Sequence, residues 1–234
     1  MIKDSLVYLI PTFLDEQSVN VLPGYIADAI TDCQVFFAED LRTARRYLKL
    51  LHKDIQIDRF EWFAIQKAEE MVQAEFIKKL KAGKTVGILC EAGCPAVADP
   101  GQLLVQAAHE LGVAVKPLVG PSSILLALMA SGMNGQRFQF VGYLPIDAQQ
   151  RQKIIRELES ESEKRGTTQI FIETPYRNNQ LLEALLHHAK PSTRLCIASG
   201  ITGSQEFIHT LTISQWKLRV PDLHKKPTIF LLLA

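Results

Sequence analysis

What the sequence has little of narrows the field first. Its 234 residues carry only four cysteines, Cys33, Cys90, Cys94 and Cys196, scattered through apolar or loop surroundings. Cys90 and Cys94 lie close together, but no second Cys or His pair accompanies them, which argues against a structural zinc site. Their pattern fits reduced thiols in a cytoplasmic protein. Charge of one sign is not in excess: 26 Lys and Arg stand against 25 Asp and Glu. With no global field to draw the chain onto a polyanion, any nucleic-acid contact must come from a local patch. No stretch approaches the ~20 consecutive apolar residues of a membrane span. The apolar run near the N-terminus is too short and too early for a signal peptide. Gly-x-Gly-x-x-Gly, the Walker A phosphate loop and the Gly-x-Ser-x-Gly elbow are all absent. Dinucleotide, nucleoside-triphosphate and serine-hydrolase readings therefore lose their support. The six histidines show no ligand spacing, and no metal is expected.

What is present is a hydrophobic fraction of 47%, enough to bury one large core or two modest ones. Short apolar runs alternate with helical patterns. Strands are expected at 6–10, 35–38, 85–90 and 113–117, with helices over 40–51, 66–82 and 101–111. In the 66–82 segment Ala68, Met71, Val72, Phe76 and Leu80 recur at helical spacing, and Ala82-Gly83 closes it. This alternation implies βαβ units and a mostly parallel sheet. After the Gly120-Pro121 turn come a helix at 122–131, a strand at 138–142, a charged helix at 147–164, a strand at 168–173, a helix at 177–188 and a strand at 194–198. Two last runs, 207–213 and 228–233, have no long helix between them and suggest antiparallel pairing. The fold class is α/β in two domains, residues 1–118 with a mostly parallel sheet and 119–234 with a mixed one.

Two loops stand where open α/β sheets bind ligands, between a strand and the following helix. The first is Glu91-Ala-Gly-Cys-Pro-Ala-Val-Ala-Asp-Pro-Gly101, whose small residues let the backbone approach a ligand while Pro95 and Pro100 stiffen it. It reads equally as an ordinary connection, with Asp99 as a helix N-cap. The second, Gly120-Pro-Ser-Ser123, could hold a carboxylate or a ribose, or Ser122 and Ser123 could simply cap a helix.

Taken in order, Ala38-Glu-Asp-Leu-Arg-Thr43, these two loops, Ser131-Gly132, Phe138–Pro145 and Glu173-Thr-Pro-Tyr-Arg177 resemble the tetrapyrrole methylase superfamily. Within it they are most similar to the 2′-O-ribose methyltransferases of small-subunit ribosomal RNA, over residues from about 6 onward. The resemblance implies S-adenosyl-L-methionine folded into a cleft between two α/β domains, in a homodimer. Carried over by motif, the cofactor-binding residues are Pro11, Thr12, Gly93, Cys94, Pro95, Val97, Ala98, Ser122, Ser123, Phe171 and Ile172. Pro227 and Thr228, in Lys226-Pro-Thr228, complete the set on the adenine side.

A sulfonium donor asks chiefly for in-line placement of the acceptor, and a ribose hydroxyl also benefits from a general base. Asp40 or Glu39 is the candidate base, with Arg42 orienting it or binding substrate phosphate. The same three residues read as a helix start with a surface ion pair. Arg42, Arg45, Arg46, Lys49 and Lys53 cluster on or just after one helix, and the spacing of 42, 46, 49 and 53 puts four of them on one side, a basic face that could follow an RNA backbone, or a solvated face. Arg151, Lys153 and Arg156 form a weaker cluster, and Trp62 and Phe63 could stack on a base or belong to the core.

Departures from the RNA-modifying pattern are concentrated on the substrate side. Pro11-Thr-Phe-Leu-Asp-Glu16 replaces Thr-Pro-Ile-Gly-Asn-Leu, and Glu61-Trp-Phe-Ala-Ile-Gln66 stands where His-Asn-Glu is expected. Tyr176 replaces a His, and Ser199-Gly-Ile-Thr-Gly203 an Arg-Glu-Leu-Thr-Lys. The leading expectation is a methyltransferase of ribosomal RNA. The alternatives are a methyltransferase of a tetrapyrrole-like small molecule and a non-catalytic cofactor-binding protein.

Overall fold

A computed structural model describes residues 5–65 and 69–234. The chain divides into two compact units, residues 1–122 and 123–234.

In the first unit β1 (Leu6–Ile10), α1 (Ile26–Asp32), β2 (Val35–Ala38), α2 (Leu41–Leu51), β3 (Glu61–Ala64), α3 (Glu69–Lys81), β4 (Val86–Leu89), α4 (Gln102–Glu110) and β5 (Ala114–Pro117) build a sheet of order β3-β2-β4-β1-β5. Every pairing among these strands is parallel. A parallel sheet is covered on both faces, so its central strands read as unbroken apolar runs such as Val35-Phe-Phe-Ala38, all four buried. Successive side chains alternate between the faces. Phe36 packs with Ile26, Ile30 and Leu48 of α1 and α2, while Val35 and Phe37 pack with Phe76, Leu80 and Leu104 of α3 and α4. Connections from the adjacent β1 and β4 leave in opposite directions, to β2 and β5. Their C-terminal ends therefore lie at the position where such sheets bind ligands.

The second unit holds α5 (Ser123–Ser131), β6 (Phe138–Tyr143), α6 (Ala148–Arg165), β7 (Thr168–Ile172), α7 (Asn178–His188), β8 (Arg194–Ser199), β9 (Phe207–Thr212), α8 (Ile213–Trp216) and β10 (Thr228–Leu233). Its sheet, β6-β7-β10-β8-β9, is mixed: β6 and β7 are parallel, and β10 runs antiparallel between β7 and β8. The antiparallel pairing expected of the last runs is present in β8–β9 and in both pairings of β10. Asp147 caps α6 by accepting from the Gln150 amide, and Gly166 ends it in the left-handed conformation.

Two short elements named in the first unit have no counterpart in the sequence reading. The helix α1 has seven residues and no side-chain cap, and the strand β3 is a four-residue edge. Both are too short for periodicity to separate from loop. Asp99 does not cap α4; that position is Gly101, and the helix starts without a side-chain cap. The helix expected at 66–82 is seen over 69–81. Residues 66–68, Ala68 among them, and the side chain of Met71 lie outside the described residues.

Gly87 sits beside Phe36 and Tyr8 in register, and a Cβ there would stand 2.5 Å from the Phe36 ring and 2.9 Å from Ile10. Gly87→Ala is expected to destabilise the protein by about 1–3 kcal/mol through overpacking, read as a lower urea midpoint.

Candidate functional site

Three loops meet at the C-terminal ends of β1, β4 and β5. The amide of Thr12 donates to the carbonyl of Gly93 at 2.8 Å, a one-residue antiparallel bridge between the first two loops. Beneath it Thr12 Oγ1 lies 3.8 Å from Cys90 Sγ. The Cys94 thiol reaches the Pro121 carbonyl at 3.5 Å, and Tyr47 of α2 donates its buried hydroxyl to the Pro11 carbonyl at 2.6 Å. A Cβ on Gly120 would stand 2.1 Å from Pro11 Cβ, so only glycine lets the third loop close on the first.

Left-handed backbone is concentrated in the loop after β4: Gly93 (φ 82°), Ala96 (φ 65°), Ala98 (φ 62°) and Gly101 (φ 126°) all have positive φ. Two alanines in that region cost roughly 1–2 kcal/mol each. Strain of this kind persists where the surroundings enforce it, characteristically at ligand loops. Among the described residues the amides of Ala96 and Ala98 pair with no other group of the unit. Gly93 and Pro95 are buried, Cys94 and Ser122 half-buried, and Val97 and Ala98 exposed.

The same place is acidic. Glu39 follows β2, and its carboxylate accepts from the Glu91 amide at 3.3 Å. Burial first, then the charges of Glu91 and Asp40, push its pKa up against that hydrogen bond. Asp99 is half-buried on the same loop; burial and the charge of Glu39 push it up to about 6, although a hydrogen bond from Cys90 works the other way. Asp40 is different: its carboxylate caps α2 by accepting from the Thr43 amide at 2.7 Å, which holds it below its ordinary value. The proximity of Asp99 to Glu39 is not visible in the sequence, because it depends on β2 lying next to β4.

The basic face of α2 is largely committed within its own unit. Arg46 pairs with Glu16, Arg45 lies over the Trp62 ring at 5.3 Å, and Lys49 donates to the carbonyls of Ile55 (2.6 Å) and Lys53 (3.2 Å). Among the described residues Arg42 has no ion pair. Trp62 is part of the aromatic packing, stacked on Phe36 with its indole N–H on the Ile57 carbonyl, and Phe63 stacks on Phe37.

In the second unit the remaining candidates gather at one end of the sheet. Phe171 is fully buried against Phe230, so only its backbone could touch a ligand, whereas Ile172 is half-buried. Just beyond, Glu173, 5% exposed, accepts at 2.6 Å from both the Thr174 amide and the Arg177 guanidinium. The Thr228 hydroxyl donates to Ser199 Oγ at 3.0 Å, and that hydroxyl donates to the Pro227 carbonyl at 3.3 Å. Pro227 also accepts from the Gly200 amide, and the Lys225 amide donates to Pro175. Ser123 is the first residue of α5.

Comparison with known proteins agrees with this architecture. The family model of the Tetrapyrrole (Corrin/Porphyrin) Methylases matches residues 26–216. The chain belongs to the tetrapyrrole methylase family. Two relatives carry the name Ribosomal RNA small subunit methyltransferase I. That of Buchnera aphidicola subsp. Schizaphis graminum (strain Sg) is 27% identical over 99% of this chain and 79% of its own length. That of Escherichia coli O157:H7 is 30% identical over 89% and 70%. A uroporphyrin-III C-methyltransferase from Thermus thermophilus, solved with S-adenyl homocysteine, shares the fold with a TM-score of 0.56 and 17% identity, covering 97% of this chain and 96% of that one. As a member of this methylase family, the chain is a methyltransferase that uses S-adenosylmethionine.

The raised Asp99 pKa has a stability consequence of definite sign. A carboxyl that holds its proton up to about pH 6 when folded, against 3.8 as its ordinary value, stabilises the fold at low pH, and that contribution is lost as pH rises through about 6. Asp99→Asn is expected to remove this loss. The urea midpoint of the variant should gain on that of the native chain as pH rises from 4 to 8, and a constant difference would show that Asp99 is not perturbed.

Proposed function

We propose that the methyl acceptor is ribosomal RNA, at a ribose 2′-hydroxyl or a base position, and that the loops after β1, β4 and β5 hold the cofactor. The observation that carries the cofactor placement is the charge of this cluster: Glu39, Glu91 and Asp99 converge on a strained loop whose Ala96 and Ala98 amides are unpaired. Three neighbouring carboxyl groups favour a ligand that brings positive charge and disfavour one that brings phosphates. S-adenosylmethionine fits, with a sulfonium and an ammonium for the carboxylates and polar groups for the amides.

Bound there, it supplies an electrophilic methyl group whose leaving atom departs as a neutral thioether. The chain contributes placement of the acceptor and removal of its proton. We assign the proton to the Glu39–Asp99 pair. Burial and, after it, mutual repulsion keep these carboxyls basic, whereas the carboxylate of Asp40 is occupied by its helix cap. The support for RNA is that both relatives described above are named as ribosomal RNA methyltransferases, together with Arg42, which is available to a phosphate beside Glu39.

We also infer a cytoplasmic homodimer. Among the described residues no helix is long and apolar enough to cross a membrane. Leu125 and Met129 of α5 and Phe138 of β6 expose apolar surface that self-association would cover. Light scattering should return twice the chain mass, and a monomer at micromolar concentration would end the dimer reading.

Calorimetric titration with S-adenosylmethionine and S-adenosylhomocysteine should show saturable binding, weakened at least about tenfold by Gly93→Val, whose φ of 82° a branched residue tolerates poorly. With ribosomal RNA as acceptor, kcat/KM should rise through about pH 6. Asp99→Asn should lower kcat by roughly 10²–10⁴, Asp40→Asn should change it little, and Glu39→Gln should move the rising limb to lower pH by removing the repelling charge. An undiminished kcat in Asp99→Asn would reject the base assignment; transfer only to a small molecule would reject the acceptor.

A further inference from the structure

Among the described residues the two most exposed rings of Phe, Tyr and Trp stand at one end of the second sheet. Tyr143 ends β6 and is 58% exposed, and Tyr176, 71% exposed, follows β7. The two strands are parallel neighbours, with Tyr143 in register with Ile172, so both tyrosines stand at the C-terminal end of the same pair. Rings of this size ordinarily go into the core, as Phe171 and Phe230 of the same sheet do.

The backbone anchors Tyr176 on both sides. On one, the neighbouring Arg177 donates at 2.6 Å to Glu173, a buried carboxylate that also accepts from the Thr174 amide. That hydrogen bond above all keeps the guanidinium charged, and the charges of Glu173 and of the nearby Tyr143 add to it. On the other side, the loop before β10 closes on Tyr176. The Lys225 amide donates to the Pro175 carbonyl at 2.9 Å, and the His224 ring meets the Tyr176 ring at an angle of 72°, centroids 6.1 Å apart. Lys225 holds this position with a φ of 60°, a left-handed conformation unfavourable for lysine and characteristic of ligand loops. The contact with His224 still leaves most of Tyr176 open to solvent.

Charge decides what this ring would stack on. The carboxylates of these loops are all engaged. Glu173 is held by Arg177, Asp222 accepts from the Asn179 side chain and the His224 amide, and Asp147 caps α6. The charge left over is positive: Lys225 has no ion pair among the described residues, and Lys226 Nζ donates to a neutral group, the Asp222 carbonyl, at 2.9 Å. Ammonium groups beside an open ring disfavour a cationic ligand such as the cofactor and favour a base that carries its own phosphate. Unpaired RNA bases stack on exposed tyrosine rings of this kind.

We propose that Tyr176, with Tyr143 beside Arg177, is a stacking site for an unpaired base of the acceptor RNA, with Lys225 on the adjoining phosphodiester. The proposal rests on the reading that the acceptor is RNA, and adds a place in the second unit where the strand is gripped. Such a site needs no cavity, because the ring is already accessible. It selects a single strand, since a base inside a duplex offers no free face.

The test follows the full chain by fluorescence anisotropy of a labelled single-stranded oligoribonucleotide of mixed sequence, because stacking tolerates any base. Tyr176→Ala should weaken binding at least about fivefold, and Tyr176→Phe, which keeps the ring, should bind as the native chain does. Lys225→Gln should lower the slope of log affinity against log salt by roughly 0.7, the share of one single-strand phosphate. An unchanged melting temperature in each variant shows that the fold is kept. Calorimetry separates RNA from the adenine of the cofactor: S-adenosylhomocysteine should bind Tyr176→Ala as it binds the native chain. A loss of that affinity matching the loss for RNA would give the ring to the cofactor and overturn the proposal. Methyl transfer to ribosomal RNA separates the proposal from the acceptor reading. Equal RNA affinity in the native chain and Tyr176→Ala, with transfer intact in both, overturns the stacking site and leaves the RNA acceptor in place. A native chain that neither binds the oligoribonucleotide nor methylates ribosomal RNA overturns both.

Discussion

The bridge from the Thr12 amide to the Gly93 carbonyl is the contact on which the functional end of the first unit depends. Everything around it is arranged to keep two loops from separate strands at that distance. Gly120 gives up its side chain so that a third loop can pack on Pro11, and Tyr47 reaches from α2 to hold the Pro11 carbonyl. Cys90 and Cys94 fill the space below and beside the bridge as buried or half-buried thiols. With the ends tied, the segment between them has little freedom. Ala96 and Ala98 are held in a conformation that alanine disfavours, and among the described residues their amides make no hydrogen bond.

The electrostatics follow from the same geometry. Because β2 lies next to β4, the residue after β2 and the loop after β4 share one end of the sheet, and Glu39 meets Glu91 and Asp99. Burial first, and then repulsion among them, raises the proton affinity of the two half-buried carboxyls. A methyltransferase with a sulfonium donor can use that negative field twice, to attract a cationic cofactor and to accept a proton from the nucleophile.

The sequence made the core strands and the long helices legible, because they are where periodicity and burial coincide. Val35–Ala38 and Leu6–Ile10 are continuous apolar runs, and α6 and α7 are long and bounded by Asp147, Gly166 and polar loops. Antiparallel pairing at the end of the chain was legible from two strands too close together for a long crossover. Short elements were not: α1 and β3 carry too few residues to show a period. For the site, the ordered motifs pointed to the loops and to the cofactor. They could not show which carboxylate is spent on a helix cap, which is Asp40, and which is left with a raised proton affinity, which is Asp99. The basic stripe on α2 illustrates the same limit. Spacing placed four cations on one helix, but only the packing showed Arg45 on Trp62 and Arg46 on Glu16.

The most direct test of the central claim is a crystal structure of the chain grown with S-adenosylhomocysteine. The account requires the thioether sulfur to lie against the loop of residues 91–99, with polar atoms of the ligand on the amides of Ala96 or Ala98 and its ammonium toward Glu39 or Asp99. A ligand bound elsewhere, or one that leaves those amides and carboxylates untouched, would contradict the account.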